Sequence, residues 1–535
     1  MAESVTKLIE RMLDRENELS PLSCTFKGIH DRDEEWDDPG PEGVAAYDAF
    51  LGEFIAAVDK ALIRATGEEG VDLRLARAHL ANGDIYARRL REHERNPLGV
   101  PNSIVNGLFI MLVREYAPLP ERLGAIRARL AKVPAYCAAA KKVMTRPVGR
   151  FTALAEEMAG QAGAFLTQVI PSAAGGDARL AETLKFAGEK AAAAIADYVA
   201  YVKGLPQEEK FGCGRAVFDA FLDEYHLLDF DAVSLKGFGE EQLARVEAAM
   251  AALAAKIKPG ATAAEIITEN KKDHPAADGV LKYYKDWMDR ARDFVREKNL
   301  CGVPAGEVLE VIETPAFERP FIPFAAYMPP APYEKLQKGF FYVTPVDAGM
   351  TPEQVEEKLR GHSGDKVPVV ALHEAYPGHH LQLCWANRQA KRIRRESDSN
   401  PLIEGWALYC EEMMREQGFY DDPRILLGQL RDMQWRAVRV IVDASLHAFG
   451  MPFEKAVDML ITRVGMERVN AEAEVKRYIY TPTQPMSYLV GKTSIMALRK
   501  AFFRKWPKAT VRSFHDKLLA CGSLPVSLVW EKVMW

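Results

Sequence analysis

Three of the eleven histidines fall within eight residues, in His373-Glu374-Ala375-Tyr376-Pro377-Gly378-His379-His380. Imidazole nitrogens plus one carboxylate are what a catalytic zinc ion takes as protein ligands, leaving a fourth position for water. A carboxylate beside those ligands can serve as general base on that water. Glu374 directly follows the first histidine, and Glu404 lies 24 residues beyond His380. This clustering of scarce residues points to a Zn2+-dependent hydrolase with one metal ion per chain.

The spacing sets a geometric condition. On an unbroken helix two histidines share a zinc at i, i+4, one turn apart on one face. Here position 377 is proline. His380 is seven residues on, roughly 10.5 Å along a straight axis, too far for both rings to bind at about 2.0–2.1 Å. Proline breaks the hydrogen-bond ladder, and glycine tolerates the backbone that results. The stretch then reads as an HExxH motif with two residues inserted. His373 and His379 become the histidine ligands, and His380 remains a rival for the second place. Glu404 is the candidate third ligand, and Gly405 would let its helix approach the metal helix closely. Glu411, seven residues further on the same helical face, could hold the far nitrogen of a ligand histidine. A lone helical glutamate is ordinarily a surface residue, so the histidine cluster is what singles out Glu404.

The elements that must position these groups are mainly helical. Alanine-rich, amphipathic stretches at 121–143, 150–168, 178–203 and 240–257 predict long packed helices. Helical periodicity returns at 352–360, 366–395, 401–417, 423–449, 453–463, 470–478, 486–504 and 509–520. Between these regions, Phe321–Tyr327 and Gly339–Thr344 are short, aromatic and β-branched, and predict two antiparallel strands of a hairpin over 319–345. An edge strand there could hold an extended substrate beside the metal. The basic run Arg388, Lys391, Arg392, Arg394 and Arg395 reads as a solvated helix face. The expected architecture is a mainly α fold with a cleft or channel and a small antiparallel sheet near the site. It forms one large domain over 1–535, divisible into a helical scaffold lobe (1–300) and a catalytic lobe (301–535) holding the metal site at 373–404.

Composition bounds the function. The chain has 535 residues, 48% hydrophobic and 27% charged, with a net charge of −5. That balance predicts a sizeable core and argues against nucleic-acid or anionic-membrane binding, which needs a concentrated basic face. Seven dispersed cysteines without a CxxC pair predict no disulfide framework and no cysteine zinc site. The first ten residues lack the apolar core of a signal peptide, so the expectation is a cytoplasmic protein. No P-loop, GxGxxG or GxSxG signature competes, and Gly212-Cys213-Gly214 reads as a turn.

Four blocks, HEAYPGHHLQ (373–382), EGWALYCE (404–411), RVIVDASLH (439–447) and QPMSYLVG (484–491), resemble the bacterial family known as domain of unknown function 885. Through it the chain resembles Taq-type zinc carboxypeptidases, HExxH peptidases whose third ligand is a glutamate. The resemblance implies a helical fold with a deep channel, zinc held by His373, His379 and Glu404, and Glu374 as base. It also lifts Tyr488 as donor to the tetrahedral oxyanion, with His447 second. Asp443, at i−4 from His447, would favour a charged imidazole. Arg439, Arg477 and Lys492 are candidates to anchor a substrate carboxylate. The chain departs from the family pattern at Pro482-Thr483-Gln484-Pro485-Met486 and at Ser445, where the family usually has PGQAL and glycine.

The leading expectation is a carboxypeptidase- or dipeptidase-like metallopeptidase acting on short peptides, with a homodimer open. The rivals are a zinc amidohydrolase of a small non-peptide amide and a metal-free helical binding protein.

Overall fold

The computed structural model describes residues 3–315, 319, 322, 324–347 and 349–535. Its contacts group the chain into two compact units. The first comprises Met1–Cys213 with Ala331–Leu336, the second Gly214–Pro330 with Gln337–Trp535. Residues 214–300, placed by sequence in the scaffold lobe, therefore pack with the histidine cluster.

Among the described residues the regular structure of the first unit is helical, apart from an isolated bridge between Val148 and Glu208, and Ala331–Leu336 adds only turns. Its helix Ala178–Lys203 shows why. Leu184, Gly188, Ala191, Ile195, Tyr198, Val199 and Val202 are its buried residues, a three-and-four spacing that draws one apolar stripe along the cylinder. The helix packs on Leu119–Lys141 and on the Gly149–Val169 segment. At Gly188 the approach is so close that a Cβ would sit 2.1 Å from the Leu166 carbonyl oxygen. In the same unit the His30 ring stacks on Tyr116 with centroids 3.5 Å apart. His30 Nδ1 meets Asp33 at 2.9 Å, and Nε2 lies 3.8 Å from Glu334.

The second unit carries the candidate site on eight helices and a sheet. The helices are α1 (Ala232–Ile257), α2 (Val280–Glu297), α3 (Val367–Glu374), α4 (His379–Ala386), α5 (Asn400–Glu416), α6 (Pro423–Ala448), α7 (Arg468–Tyr480) and α8 (Ser487–Lys505). Helix α6 is the centrepiece, packing along α1, where a Cβ at Gly239 would touch Val440 and Ile441 at 2.9–3.1 Å. Helices α5 and α8 cross at two facing glycines. A Cβ on Gly405 would lie 2.4 Å from the Gly491 carbonyl carbon, and one on Gly491 would lie 1.7 Å from the Pro401 carbonyl oxygen. Side-chain-free surfaces are what permit that contact.

The sheet is three-stranded and mixed: β1 (Val308–Glu313), β2 (Ala325–Met328) and β3 (Lys338–Val343), in the order β1-β3-β2. Strand β2 pairs antiparallel with β3, as the hairpin reading requires, but β1 adds a parallel partner the sequence did not announce. Glutamates interrupt the apolar run in VLEVIE, which hid that strand. Of the strand expected over Phe321–Tyr327, residues 321 and 323 lie outside the described residues.

The helix expected over 366–395 is broken twice. It stops at Glu374, resumes at His379 and ends at Ala386. The basic run forms only the short helix Arg392–Arg395, with Ile393 and Arg394 buried, so it is not a fully solvated face. All seven cysteines are free. Among the described residues no helix is long and apolar enough to cross a membrane.

Candidate metal centre

The break between α3 and α4 is what assembles the centre. Pro377 and Gly378 sit between the two helices, and the Tyr376–Pro377 peptide is cis. The Gly378 N–H donates to the Leu372 carbonyl, six residues back. A Cβ at Gly378 would overlap the His373 carbonyl oxygen at 1.8 Å, so only glycine fits there. The step turns the His373 and His379 rings toward each other, centroids 4.8 Å apart and nearly perpendicular. Ligand atoms of His373, Glu374 and His379 lie within 4.8 Å of one another.

Glu404 closes the group from α5. Its Oε2 is 3.2 Å from His379 Nε2 and 3.9 Å from His373 Nε2. Both Nε2 atoms thus face one carboxylate oxygen. Two turns along α5, Glu411 accepts a hydrogen bond from His373 Nδ1–H at 2.8 Å, which fixes the tautomer that leaves Nε2 with its lone pair. The spacing of seven puts Glu404 and Glu411 on one helical face. Trp406, between them, donates its indole N–H to the Pro377 carbonyl at 2.7 Å and so ties α5 to the helix break.

The electrostatics favour a cation. Burial alone would lift the Glu404 pKa, but His379 and then His373 draw it down to about 2. Burial alone would lower that of His379, yet Glu404 raises it. Tyr488 stands beside Glu404 and helps keep its carboxylate charged. Positive charge is what most stabilises a buried carboxylate between two imidazoles. Two neutral imidazoles and a carboxylate around a divalent ion meet that requirement, and this donor set suits zinc.

The centre opens on a cavity of about 740 Å³. Edge strand β2 lines one side through Ala325, Ala326 and Tyr327, and α6 lines another through Asp432, Trp435, Arg436 and Arg439. Glu374, Tyr488 and Arg477 also reach it.

Four expected residues stand elsewhere. His380 is fully buried with both nitrogens engaged: Nε2–H donates to Glu307 at 2.7 Å, and Nδ1 lies 3.0 Å from the Tyr327 hydroxyl. With both nitrogens so engaged, His380 belongs to the support of the loop, where Tyr376 also donates to Glu307 at 2.6 Å. His447 does not line the cavity. Its Nε2–H donates to the Tyr478 carbonyl, its ring stacks on Phe218, and burial pushes its pKa down to about 4. Asp443 does not charge it. Their closest approach is 3.9 Å, and burial lifts Asp443 to about 8 although Thr483 and Met486 N–H groups donate to it. Asp443 thereby secures the turn leading into α8 and Tyr488. Lys492 is held by Glu412 at 2.5 Å, outside the cavity wall.

Sequence reasoning passed over Arg436, Trp435, Tyr327 and Glu307. Arg436 had a signal, one turn before Arg439 on the same helix. Glu307 had none, because only the fold brings it 73 residues along the chain to His380.

The chain belongs to the DUF885 family, described as bacterial protein of unknown function, which matches residues 21–533. No curated protein matches it. Two solved structures share its fold. "The structure of a putative lipoprotein of unknown function from Shewanella oneidensis" is 24% identical over 100% of both chains, with a TM-score of 0.82. A "putative lipoprotein from Colwellia psychrerythraea" is 16% identical over 99% of this chain and 98% of that one, with a TM-score of 0.81. The cytoplasmic expectation is overturned by these two structures, each described as that of a "putative lipoprotein". The comparisons do not extend the likeness to Taq-type carboxypeptidases, which rests on the motif.

Proposed function

We propose that the protein is a zinc-dependent hydrolase of peptide bonds. The observation that carries this reading is the convergence of His373 Nε2 and His379 Nε2 on a single Glu404 oxygen, with Glu374 in the same cluster. His373, His379 and Glu404 would hold the ion. Zinc in such a site supplies Lewis-acid polarisation and makes water acidic near neutral pH.

The chain's own residues account for the rest. Glu374 takes a proton from the attacking water and passes it to the departing amine as the C–N bond breaks. The water oxygen ends in the new carboxylate. The Tyr488 phenol stays protonated, since burial and then Glu404 raise its pKa, and donates to the oxygen that gains charge during attack. Strand β2, at the edge of the sheet among the described residues, borders the cavity where an extended substrate would pair.

The test is metal content followed by a mass-spectrometric screen of short peptides and N-acyl amino acids. We expect about one zinc per chain and cleavage abolished by chelation. Cleavage confined to non-peptide amides would favour an amidohydrolase. Protein that takes up no zinc and cleaves nothing would overturn the hydrolase reading in favour of a binding protein.

A further inference from the structure

The first unit contains a second cavity, of about 830 Å³, lined only by its own residues and by none of the candidate metal ligands. Its wall mixes carboxylates with aromatic rings: Asp37 and Glu92 line it with Tyr47, Tyr136 and Tyr198. Some charges in that wall already have partners. Glu16 lies 2.7 Å from His79 Nε2, and Arg32 donates to Glu35 at 3.1 Å and to the Asn17 carbonyl at 3.0 Å. Asp37 and Glu92 differ. Asp37 accepts the Leu22 N–H at 2.9 Å, and Glu92 is 3.5 Å from Asn96 Nδ2, but among the described residues neither makes an ion pair. Burial lifts the pKa of both, to about 7 at Glu92. The Leu22 N–H, Arg129 and Arg32 offset burial only in part at Asp37, as do Asn96 and Arg95 at Glu92. Arg95 is itself held by Glu208 at 2.8 Å. A further group stands without a partner. Tyr198, on helix Ala178–Lys203, is 0% exposed, yet its hydroxyl has no hydrogen bond, and neither has the buried Oδ1 of Asn96. Buried polar atoms left unpaired are costly, so this wall calls for a donor.

We propose that this cavity binds a small aliphatic polyamine, an alkyl chain carrying two or more ammonium groups. Such binding is independent of the hydrolase reading. An ammonium supplies three N–H donors and no acceptor, the complement of carboxylate, amide and phenol oxygens. Two carboxylates on separate elements match two cationic centres: Asp37 precedes helix Pro41–Leu62, and Glu92 opens helix Glu92–Arg95. Aromatic rings attract cations, and Val44, Val100 and Met144 give the methylenes between charges an apolar wall. The volume falls within the range of about 300–1,000 Å³ usual for small-molecule sites. A bare divalent ion fits less well, because it needs several ligand atoms gathered at one point. Among the described residues, His, Cys, Asp and Glu atoms gather in that way at His373, Glu374 and His379, and not here. A quaternary ammonium has no N–H to give and would leave Tyr198 and Asn96 unpaired.

The experiment is titration calorimetry of spermidine into the full chain, with butanediol and tetramethylammonium as comparison probes. We expect saturable binding of one spermidine per chain, and both comparison probes weaker by about 30-fold or more. Asp37→Asn and Glu92→Gln should each weaken spermidine by about 10- to 100-fold, the span of one charge-assisted hydrogen bond. Tyr198→Phe should weaken it by about 3- to 10-fold while the Tm of the free chain stays level or rises, since that hydroxyl has no partner to lose. This variant keeps the test decisive where a carboxylate variant fails to fold. Absence of spermidine binding, or equal binding of butanediol or tetramethylammonium, would overturn the proposal. So would an affinity that survives all three substitutions but is lost in Glu404→Gln, because the amine would then sit among the acids of the candidate metal centre.

Discussion

The two glutamates of the centre differ in what surrounds them, and their roles follow from that. Glu404 faces both imidazole Nε2 atoms and is held charged, whereas Glu374 ends α3 in the same cluster with no hydrogen-bonded partner among the described residues. Replacing Glu374 with Gln is therefore expected to lower kcat by about 10²–10⁴-fold, the usual contribution of a general base, while zinc measured by plasma emission stays near one per chain. Tyr488→Phe removes one donor and should lower kcat by roughly 10²–10³-fold with little change in KM. His380→Ala should leave stoichiometric zinc, because that ring faces Glu307 and Tyr327; a zinc-free His380→Ala chain that folds normally would reverse the assignment. At this scale the spacing alone nominated His373, His379, Glu404, Glu374 and Glu411. It could not say that Lys492 and His447 are already engaged away from the cavity, since those partners come from distant segments.

Helix–helix contact decides whether the ligands arrive together. The crossing of α5 and α8 at Gly405 and Gly491 sets Glu404 opposite Tyr488, and either Cβ would strike backbone. Gly405→Ala is expected to destabilise the chain by about 1–3 kcal/mol through overpacking and to weaken zinc binding as well. Thermal melts with a competitive chelator titration measure both effects; unchanged zinc affinity would show that the crossing does not govern the site. The helices were legible because three-and-four apolar spacing survives any tertiary context, as along Ala178–Lys203. The proline–glycine break was legible too, since those two residues have few other uses inside a motif. Strand β1 was not, because Glu310 and Glu313 break its apolar run without alternation and its partner lies 30 residues on, at Lys338. The continuation of one helix to residue 395 failed because nothing local marks the stop at Ala386.

For the molecule as a whole, stability should carry a pH signature from the first unit, far in sequence from the candidate metal ligands. Burial opposes charge on His30, but its hydrogen bond to the Asp33 carboxylate and the nearby Glu334 carboxylate outweigh it and raise its pKa to about 9. A raised histidine pKa stabilises most below the unfolded value near 6.5, and the contribution fades as pH climbs through 9. Between pH 6.5 and 9.5 the native chain should lose on the order of 1 kcal/mol from this group, discounted for partial exposure. His30→Gln should flatten that part of the melting-temperature profile, and an unaltered slope would discard the assignment. The division at Cys213 was not legible from composition, since alanine-rich helices fill both sides. The split motif has a last consequence. Trp406 grips the Pro377 carbonyl from one side, and Glu307 grips Tyr376 and His380 from another. The candidate ligands are thus positioned by the polypeptide itself, which would leave little conformational entropy for metal uptake to consume. Stripped protein should keep its far-ultraviolet dichroism and regain zinc in a single fast step, like a lock whose tumblers are already aligned.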